Sequence, residues 1–273
     1  MINQVRELIT KHGDQLALVV NNSGGKDSTR MLGYLKENFP QQKMYVVMAD
    51  TGFEHVRPIS AIDWARQQSR RFKEDLHVVR NPNKTYLEMV ERRGMFPAPK
   101  YRQCTSDLKR DPITKFIRHL SENVIVNCTG IRAAESAGRA KQNPWKLDDR
   151  LSKAGRIVWN WMPIFTESLQ DVLQWHWREG VSLHPVYVPE YHVDGTLGGY
   201  LRRFSCRVCI FSTDTDIRRI YENDREAFDI IDGLEQSMKF TMKAGKSLLQ
   251  IISTPAPEVV HQYGSEETMP CMQ

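Results

Sequence analysis

Ser23-Gly24-Gly25-Lys26-Asp27-Ser28 constrains the fold more than any other stretch of the chain. It follows the apolar run Leu16–Asn21 and opens a helical pattern through Met31, Leu32 and Leu35. A strand that passes through a glycine turn into a helix N-terminus makes an anion cradle, because exposed backbone N–H groups and the helix dipole both favour negative charge there. Gly24 and Gly25 let the backbone approach an anion closely. The Ser23 and Ser28 hydroxyls can donate to phosphate oxygens, and Lys26 adds a point charge. A lone Ser-Gly-Gly would read as an ordinary strand-to-helix turn. All six residues in this context favour phosphate binding, at a spacing that is neither the Walker loop nor the dinucleotide glycine pattern.

Strand-like runs recur at Leu16–Asn21, Lys43–Ala49, Leu76–Arg80 and Asn123–Cys128. Helical patterns lie between them at Ser28–Asn38, Ile59–Phe72, Lys84–Arg93 and Asp107–Leu120. This alternation predicts an α/β fold with a doubly wound, mostly parallel sheet. Ligands in such sheets sit at the carboxyl ends of the strands, which is where the informative motifs fall. Beyond about residue 140 the pattern changes. Lys141 to Gly155 is polar and reads as a loop, Ile157 to Trp161 as a further strand, and Ser168 to Glu179 as a helix. His184 to Cys209 reads as irregular, Asp214 to Leu249 as helical, and the last stretch as a tail. The expected organisation is a nucleotide-binding α/β domain over residues 1–180 and an irregular and helical C-terminal segment over 181–273 that carries a C-x-x-C pair.

With 273 residues and 40% hydrophobic content, the chain can bury a substantial core and is not disordered by composition. No apolar run reaches the ~20 residues needed to span a bilayer. The first residues lack a signal-peptide pattern, so a cytoplasmic location and no membrane partner are expected. Five cysteines in a reducing compartment point to metal binding or catalysis rather than disulfides. The net charge of +5 suits anionic ligands. Basic clusters at Arg66 to Lys73, Arg92-Arg93, Lys100 to Arg110 and Arg202-Arg203 read mostly as solvated faces, with a nucleic-acid surface as the minority reading.

Three further constellations carry chemistry. Asp50-Thr51-Gly52 ends the second strand, where a carboxylate meets Mg²⁺ or an adenosine hydroxyl, although Asp and Gly also build plain turns. Thr129-Gly130-Ile131-Arg132 ends the fourth and continues to Arg139. Both arginines suit phosphate through forked hydrogen bonds, with Glu135 available to orient one of them. Cys206-Arg207-Val208-Cys209 places two thiolates on one cation, and Cys104 is the best third ligand. Cys128 reads as a buried small hydrophobe, with a fourth-ligand role left open by its place near the phosphate side, and Cys271 as a tail thiol ahead of a mobile nucleophile. His184 and His192 read first as structural histidines, and the six tryptophans as core.

The Ser23–Ser28 stretch is similar to the PP-loop of the N-type ATP pyrophosphatases. In their order along the chain, that stretch, the Asp50 turn, Cys104-Thr105 before Leu108-Lys109, Thr129–Arg132 and the late C-x-x-C resemble the phosphoadenosine phosphosulfate (PAPS) reductase-like family. The similarity runs from about Leu16 to Ser212 and takes in Pro163-Ile164, Leu169–Val172 and His184–Tyr187. It implies an adenine nucleotide alpha-hydrolase-like fold and cleavage of ATP between its α- and β-phosphates. Nucleotide would contact Ser23, Gly24, Gly25, Lys26, Asp27, Ser28, Asp50, Thr51, Gly52, Gly130 and Arg132, with Lys26, Asp27, Arg132 and Arg139 in catalysis. ATP, Mg²⁺ and an iron–sulfur cluster on Cys104, Cys206 and Cys209 are the implied cofactors, with zinc as the alternative at the cysteines.

Two departures narrow the activity. PAPS reductases usually carry a degraded PP-loop, whereas this one is intact. Of their C-terminal Glu-Cys-Gly-x-His motif, only Cys271 matches. The expected function is adenylylation of an acceptor in sulfur transfer: nucleic-acid thiolation, phosphorothioation or sulfate activation. Alternatives are sulfonucleotide reduction through Cys271 and a non-catalytic nucleotide-binding subunit. Expected partners are an adenine nucleotide, a nucleic acid or sulfur carrier, and a second copy of the chain.

Overall fold

The computed structural model describes residues 1–192, 199–204 and 206–255. Cys271 and the C-terminal tail lie outside the described residues. The elements in order are α1 (Ile2–His12), β1 (Leu16–Asn21), α2 (Lys26–Asn38), β2 (Met44–Asp50), α3 (Ala61–Arg71), β3 (Leu76–Arg80), α4 (Tyr86–Arg93), α5 (Asp111–His119), β4 (Val124–Thr129), β5 (Trp145–Leu147), β6 (Ile157–Trp161), α6 (Leu169–Arg178), α7 (Asp214–Asn223), α8 (Arg225–Met238) and α9 (Leu248–Ser253). The strands form one sheet in the order β3-β2-β1-β4-β6-β5. All neighbours are parallel except β5 and β6, which run antiparallel.

The sheet is wound on both faces because β1 is apolar at every position but its last. Leu16, Leu18 and Val20 pack with Val5 of α1 and Met31, Leu32 and Leu35 of α2. Ala17 and Val19 pack on the opposite face with Ile117 of α5 and Val158. Full burial of each Val or Leu contributes roughly 1.5–3 kcal/mol, so β1 anchors the sheet. Chain order reverses between β1 and β4, since β2 and β3 lie on one side of β1 and β4 on the other. That crevice is where open α/β sheets take ligands.

Two expectations need correction. Lys141 to Gly155 is not wholly a loop, because Trp145–Leu147 forms the edge strand β5. Trp145 stacks on Trp159 with ring centroids 4.9 Å apart. An edge strand three residues long with one face toward solvent leaves little apolar signal in a sequence. The helical stretch from Asp214 to Leu249 is broken into α7, α8 and the start of α9. The Asp224 carboxylate caps α8 by accepting from the Ala227 N–H, and Lys239 ends it in a left-handed conformation.

The last helices share a core with the first half of the chain. Phe228, Ile231, Ile217, Leu248 and Ile251 pack in one cluster with Phe53, Tyr86, Met89, Phe96 and Leu108, and Cys206 and Val208 belong to it. The segment carrying the C-x-x-C pair is therefore held against the ends of β2 and α4. Among the described residues, no helix is long and apolar enough to cross a membrane.

Candidate functional site

The six-residue loop leaves β1 at the sheet's reversal point and enters α2 with Gly25 as its N-cap. Four of its six backbone N–H groups, those of Ser23, Gly24, Gly25 and Lys26, donate to side chains of the protein. The Gly24 N–H donates to Asn22 Oδ1 at 2.9 Å and the Lys26 N–H to the Tyr187 hydroxyl at 3.1 Å. The Ser28 hydroxyl lies 2.9 Å from Asn22 Oδ1, and the Ser23 and Ser28 hydroxyls are 3.3 Å apart. The Trp64 indole donates to the Gly24 carbonyl at 3.0 Å and holds the turn from outside. Gly24 has φ +75, a left-handed backbone that glycine adopts without strain.

Asp27 is the hub of the predicted phosphate-binding groups. It accepts from Lys26 Nζ at 2.7 Å and from Arg132 Nε at 2.6 Å. Burial pushes its carboxyl up, but Lys26 and Arg132 outweigh burial and hold it below the ordinary aspartate value. Lys26 is lowered, first by burial and then by the charges of Arg132 and Arg203, with Asp27 opposing. Its ion pair alone would raise it, so the net direction reports chiefly the cost of burying the ammonium, with Arg132 and Arg203 adding to it. Arg139 is ion-paired with Glu135, which also accepts from the Arg132 N–H at 3.0 Å. Burial lowers Arg139, and Arg203, Arg102 and Arg132 add to it against Asp27. Gly130 lets β4 close on α2, since a Cβ there would stand 2.9 Å from the Asp27 carbonyl oxygen.

The Asp50 turn faces the thiols. Asp50 Oδ1 accepts from the Gly52 N–H at 2.8 Å, and Gly52 takes φ +76. The Thr51 hydroxyl is 3.9 Å from Cys206 Sγ and 2.6 Å from Glu54 Oε1. Residues 54 and 206 form an antiparallel bridge, and the Arg207 N–H donates to the Phe53 carbonyl at 3.0 Å. Asp27 is bound by two cations and Asp50 closes its own turn, so neither carboxylate is left open to a divalent cation in this arrangement.

Cys104, Cys206 and Cys209 approach one another around Lys109. Burial raises Cys206 to about 11 despite Lys109, and burial also raises Cys104. Lys109 is itself raised, by Cys206 first and then by Glu54, Cys209 and Cys104, with burial opposing. A thiol raised by burial carries little charge with which to hold Lys109. Glu54 adds to the pull on Lys109, although burial raises the Glu54 carboxyl itself, and burial favours the thiol form of Cys104 and Cys206. Among the described residues, no three His, Cys, Asp or Glu side chains stand close enough to share one metal ion. The surroundings nonetheless suit a thiolate-bound group. The buried Tyr86 hydroxyl beside these thiols and the buried Gln103 side-chain oxygen have no hydrogen-bond partner. Lys109 also supplies the positive charge that a set of thiolates needs.

The remaining candidates behave as structural groups. His184 accepts from the Val186 N–H at Nδ1, and its Nε2 lies 3.0 Å from the Ile59 carbonyl. His192 lies 3.2 Å from the Tyr187 carbonyl. Cys128 is fully buried in the sheet core, away from the thiol group. Trp64, Trp161 and Trp175 are core residues, while Trp145, Trp159 and Trp177 are half-buried. Asn22, Tyr187 and Lys109 also belong to the site, and none of them stands out as a site residue in the sequence. For Lys109 a signal existed, since it lies on the helical segment that follows Cys104. Nothing in the sequence joins Tyr187 to Lys26.

The chain is similar to several known proteins. A 37.8 kDa protein from the gpa 5′ region of Escherichia phage 186 is 23% identical over 247 residues, covering 74% of this chain and 70% of its own. A U34-tRNA thiolase from Methanococcus maripaludis, solved with its [4Fe-4S] cluster, is 15% identical over 93% of this chain and 86% of its own, with a TM-score of 0.49. A phosphoadenylyl-sulfate reductase from Candida auris, solved with phosphate, is 12% identical over 67% of this chain and 80% of its own, with a TM-score of 0.45. The pattern of the phosphoadenosine phosphosulfate reductase domain matches residues 17–202, well over half of the chain. On that match, the chain belongs to the phosphoadenosine phosphosulfate reductase domain family.

Proposed function

We propose that the protein cleaves ATP between its α- and β-phosphates and transfers AMP to an acceptor on the way to inserting sulfur. The observation that carries this reading is an intact phosphate loop linked to a group of three cysteines through one segment, with Tyr187 on Lys26 at one end and Cys206 against Thr51 at the other. Pyrophosphate would rest on Ser23–Ser28, and Lys26, Arg132 and Arg139 would neutralise the charge that builds on the phosphates. An acceptor oxygen attacks the α-phosphorus, a new P–O bond forms, and the bond to the bridging oxygen breaks to release pyrophosphate. A sulfur nucleophile from a separate donor then displaces AMP from the acceptor. Cys104, Cys206 and Cys209 would hold an iron–sulfur cluster, which supplies sulfur or electron chemistry beside the phosphate site when bound. Lys109 would offset the charge of the thiolates, and Glu54 would keep Lys109 in place.

The test is anaerobic purification with iron, zinc and sulfide analysis, on wild type and Cys206→Ala, together with an assay for AMP and pyrophosphate from ATP. Iron with matching sulfide, lost in the variant, and pyrophosphate release lost in Lys26→Ala support the proposal. Zinc without sulfide makes the cysteine site structural. Release of sulfite from a sulfonucleotide with a thiol reductant, without ATP cleavage, would replace the proposal with the reductase reading through Cys271. ATP binding without turnover would leave a nucleotide-binding subunit.

A further inference from the structure

A rim of exposed side chains flanks the cysteine positions: Lys100, Tyr101, Arg102, Arg203 and Phe211. Arg102 precedes Cys104 by two residues, Phe211 follows Cys209 by two, and Arg203 precedes Cys206 by three. The charges of Arg102 and Arg203 both reach Arg139, and that of Arg203 reaches Lys26, so the rim borders the phosphate site as well.

Charge on this rim is unbalanced. Asp27 takes Lys26 and Arg132, and Glu135 takes Arg139. No ion pair joins Lys100, Arg102 or Arg203 to a carboxylate among the described residues. All three side chains are exposed. The rim is also aromatic in an unusual way. Large exposed aromatic side chains among the described residues are Tyr101 at 65%, Phe211 at 41% and Phe240 at 43%, and two of these three lie here. Each of the two has a cation above its ring: Arg102 stands 5.7 Å from the Phe211 centroid and Lys100 5.6 Å from that of Tyr101. Neither ring is needed for the core. Exposed aromatics interleaved with arginines suit a chain of phosphates whose bases are free to stack, whereas a duplex hides its base faces.

We infer that this rim binds a single-stranded polynucleotide, with Arg102 and Arg203 on its phosphates and an unstacked base on Phe211 or Tyr101. The strand would pass between the phosphate loop and the thiols, which puts one nucleotide where AMP is transferred. The inference names the acceptor of the adenylyl-transfer reading and rests on that reading for its role, though not for its binding.

The experiment is fluorescence anisotropy of labelled oligo-dT and oligo-U of about 15 nucleotides and of a duplex of equal length, titrated with the full chain between about 50 and 200 mM salt. Pyrophosphate affinity is measured in parallel by calorimetry. Single strands are expected to bind tighter than the duplex, and the dT and U arms show whether DNA or RNA is preferred. Phe211→Ala should weaken single-strand binding about tenfold. Arg102→Ala should flatten the salt slope by about 0.7, one phosphate contact. Pyrophosphate affinity should be unchanged in both variants. Equal or tighter duplex binding, wild-type affinity in Phe211→Ala, equal competition by polyglutamate, or no binding at about 50 mM salt each overturns the inference. Loss of pyrophosphate binding in the wild type would instead strike the adenylyl-transfer reading and leave the oligonucleotide result to stand by itself.

Discussion

The Tyr187 hydroxyl, from the segment that leads to the C-x-x-C pair, accepts from the backbone N–H of Lys26 at 3.1 Å in the first turn of α2. It is also hydrogen-bonded to the backbone of Phe204 and is almost fully buried. One donor of the phosphate loop is thereby committed to a side chain more than half the chain away.

Tyr187→Phe should free the Lys26 N–H for an anion. Pyrophosphate should then bind more tightly in calorimetry, while the urea midpoint should fall by the equivalent of about 1 kcal/mol for the lost buried hydrogen bond. Weaker pyrophosphate binding would show that Tyr187 holds the loop in its binding shape rather than competing for it.

Arg132→Ala removes a nearly buried guanidinium that shares Asp27 with Lys26. If Arg132 meets the charge that develops on the phosphates, pyrophosphate release from ATP should slow by about 100-fold. A fall in affinity for ATP with the rate at saturation intact would place Arg132 in ground-state binding alone.

Gly130→Ala tests the closure of β4 on α2. Its new methyl would press on the Asp27 carbonyl oxygen and the Ser28 Cα, both of them backbone atoms that cannot swing aside. Destabilisation of about 1–3 kcal/mol in urea is expected, together with weaker pyrophosphate binding. A variant with wild-type stability and affinity would mean that the loop shifts freely.

His55 and His184 set a pH dependence of stability. Burial, chiefly, holds both imidazoles down at about 4 from the ordinary value of 6.5. The His184 Nδ1 accepts from the Val186 N–H, which a second ring proton would oppose. In the unfolded chain both protonate near the ordinary value. Their contribution is therefore complete above pH 6.5 and is lost as the pH falls toward 4, by up to about 1.4 kcal/mol per pH unit for each ring. Urea midpoints from pH 8 to about 4 measure this, and His55→Phe should flatten the curve. A flat wild-type curve would show that these rings titrate freely in the folded protein.

The fold and the phosphate loop were legible because their signals are local. Leu16–Asn21 is apolar at nearly every position, as a strand buried on both faces must be, and Ser23–Ser28 has the residue types that an anion cradle needs. Thr129–Arg132 could be read because it ends a strand. The edge strand at Trp145 escaped notice because its neighbours are polar. Tyr187 acts through a contact with no sequence spacing, whereas Lys109 lies on the helical segment that follows Cys104. Arg102 and Arg203 looked like ordinary surface charges, and only the folded chain shows that both bear on Arg139.

The order in which the chain emerges during synthesis acquires a meaning from this arrangement. The Ser23–Ser28 loop lies near the start, yet its Lys26 N–H waits for Tyr187, and Cys104 waits for Cys206 and Cys209. A nascent chain that has reached β6 carries the motif without its finished surroundings. The segment from 184 to 209 is therefore the closing step for the phosphate loop and the thiols together, so an incomplete chain holds neither site in its final form.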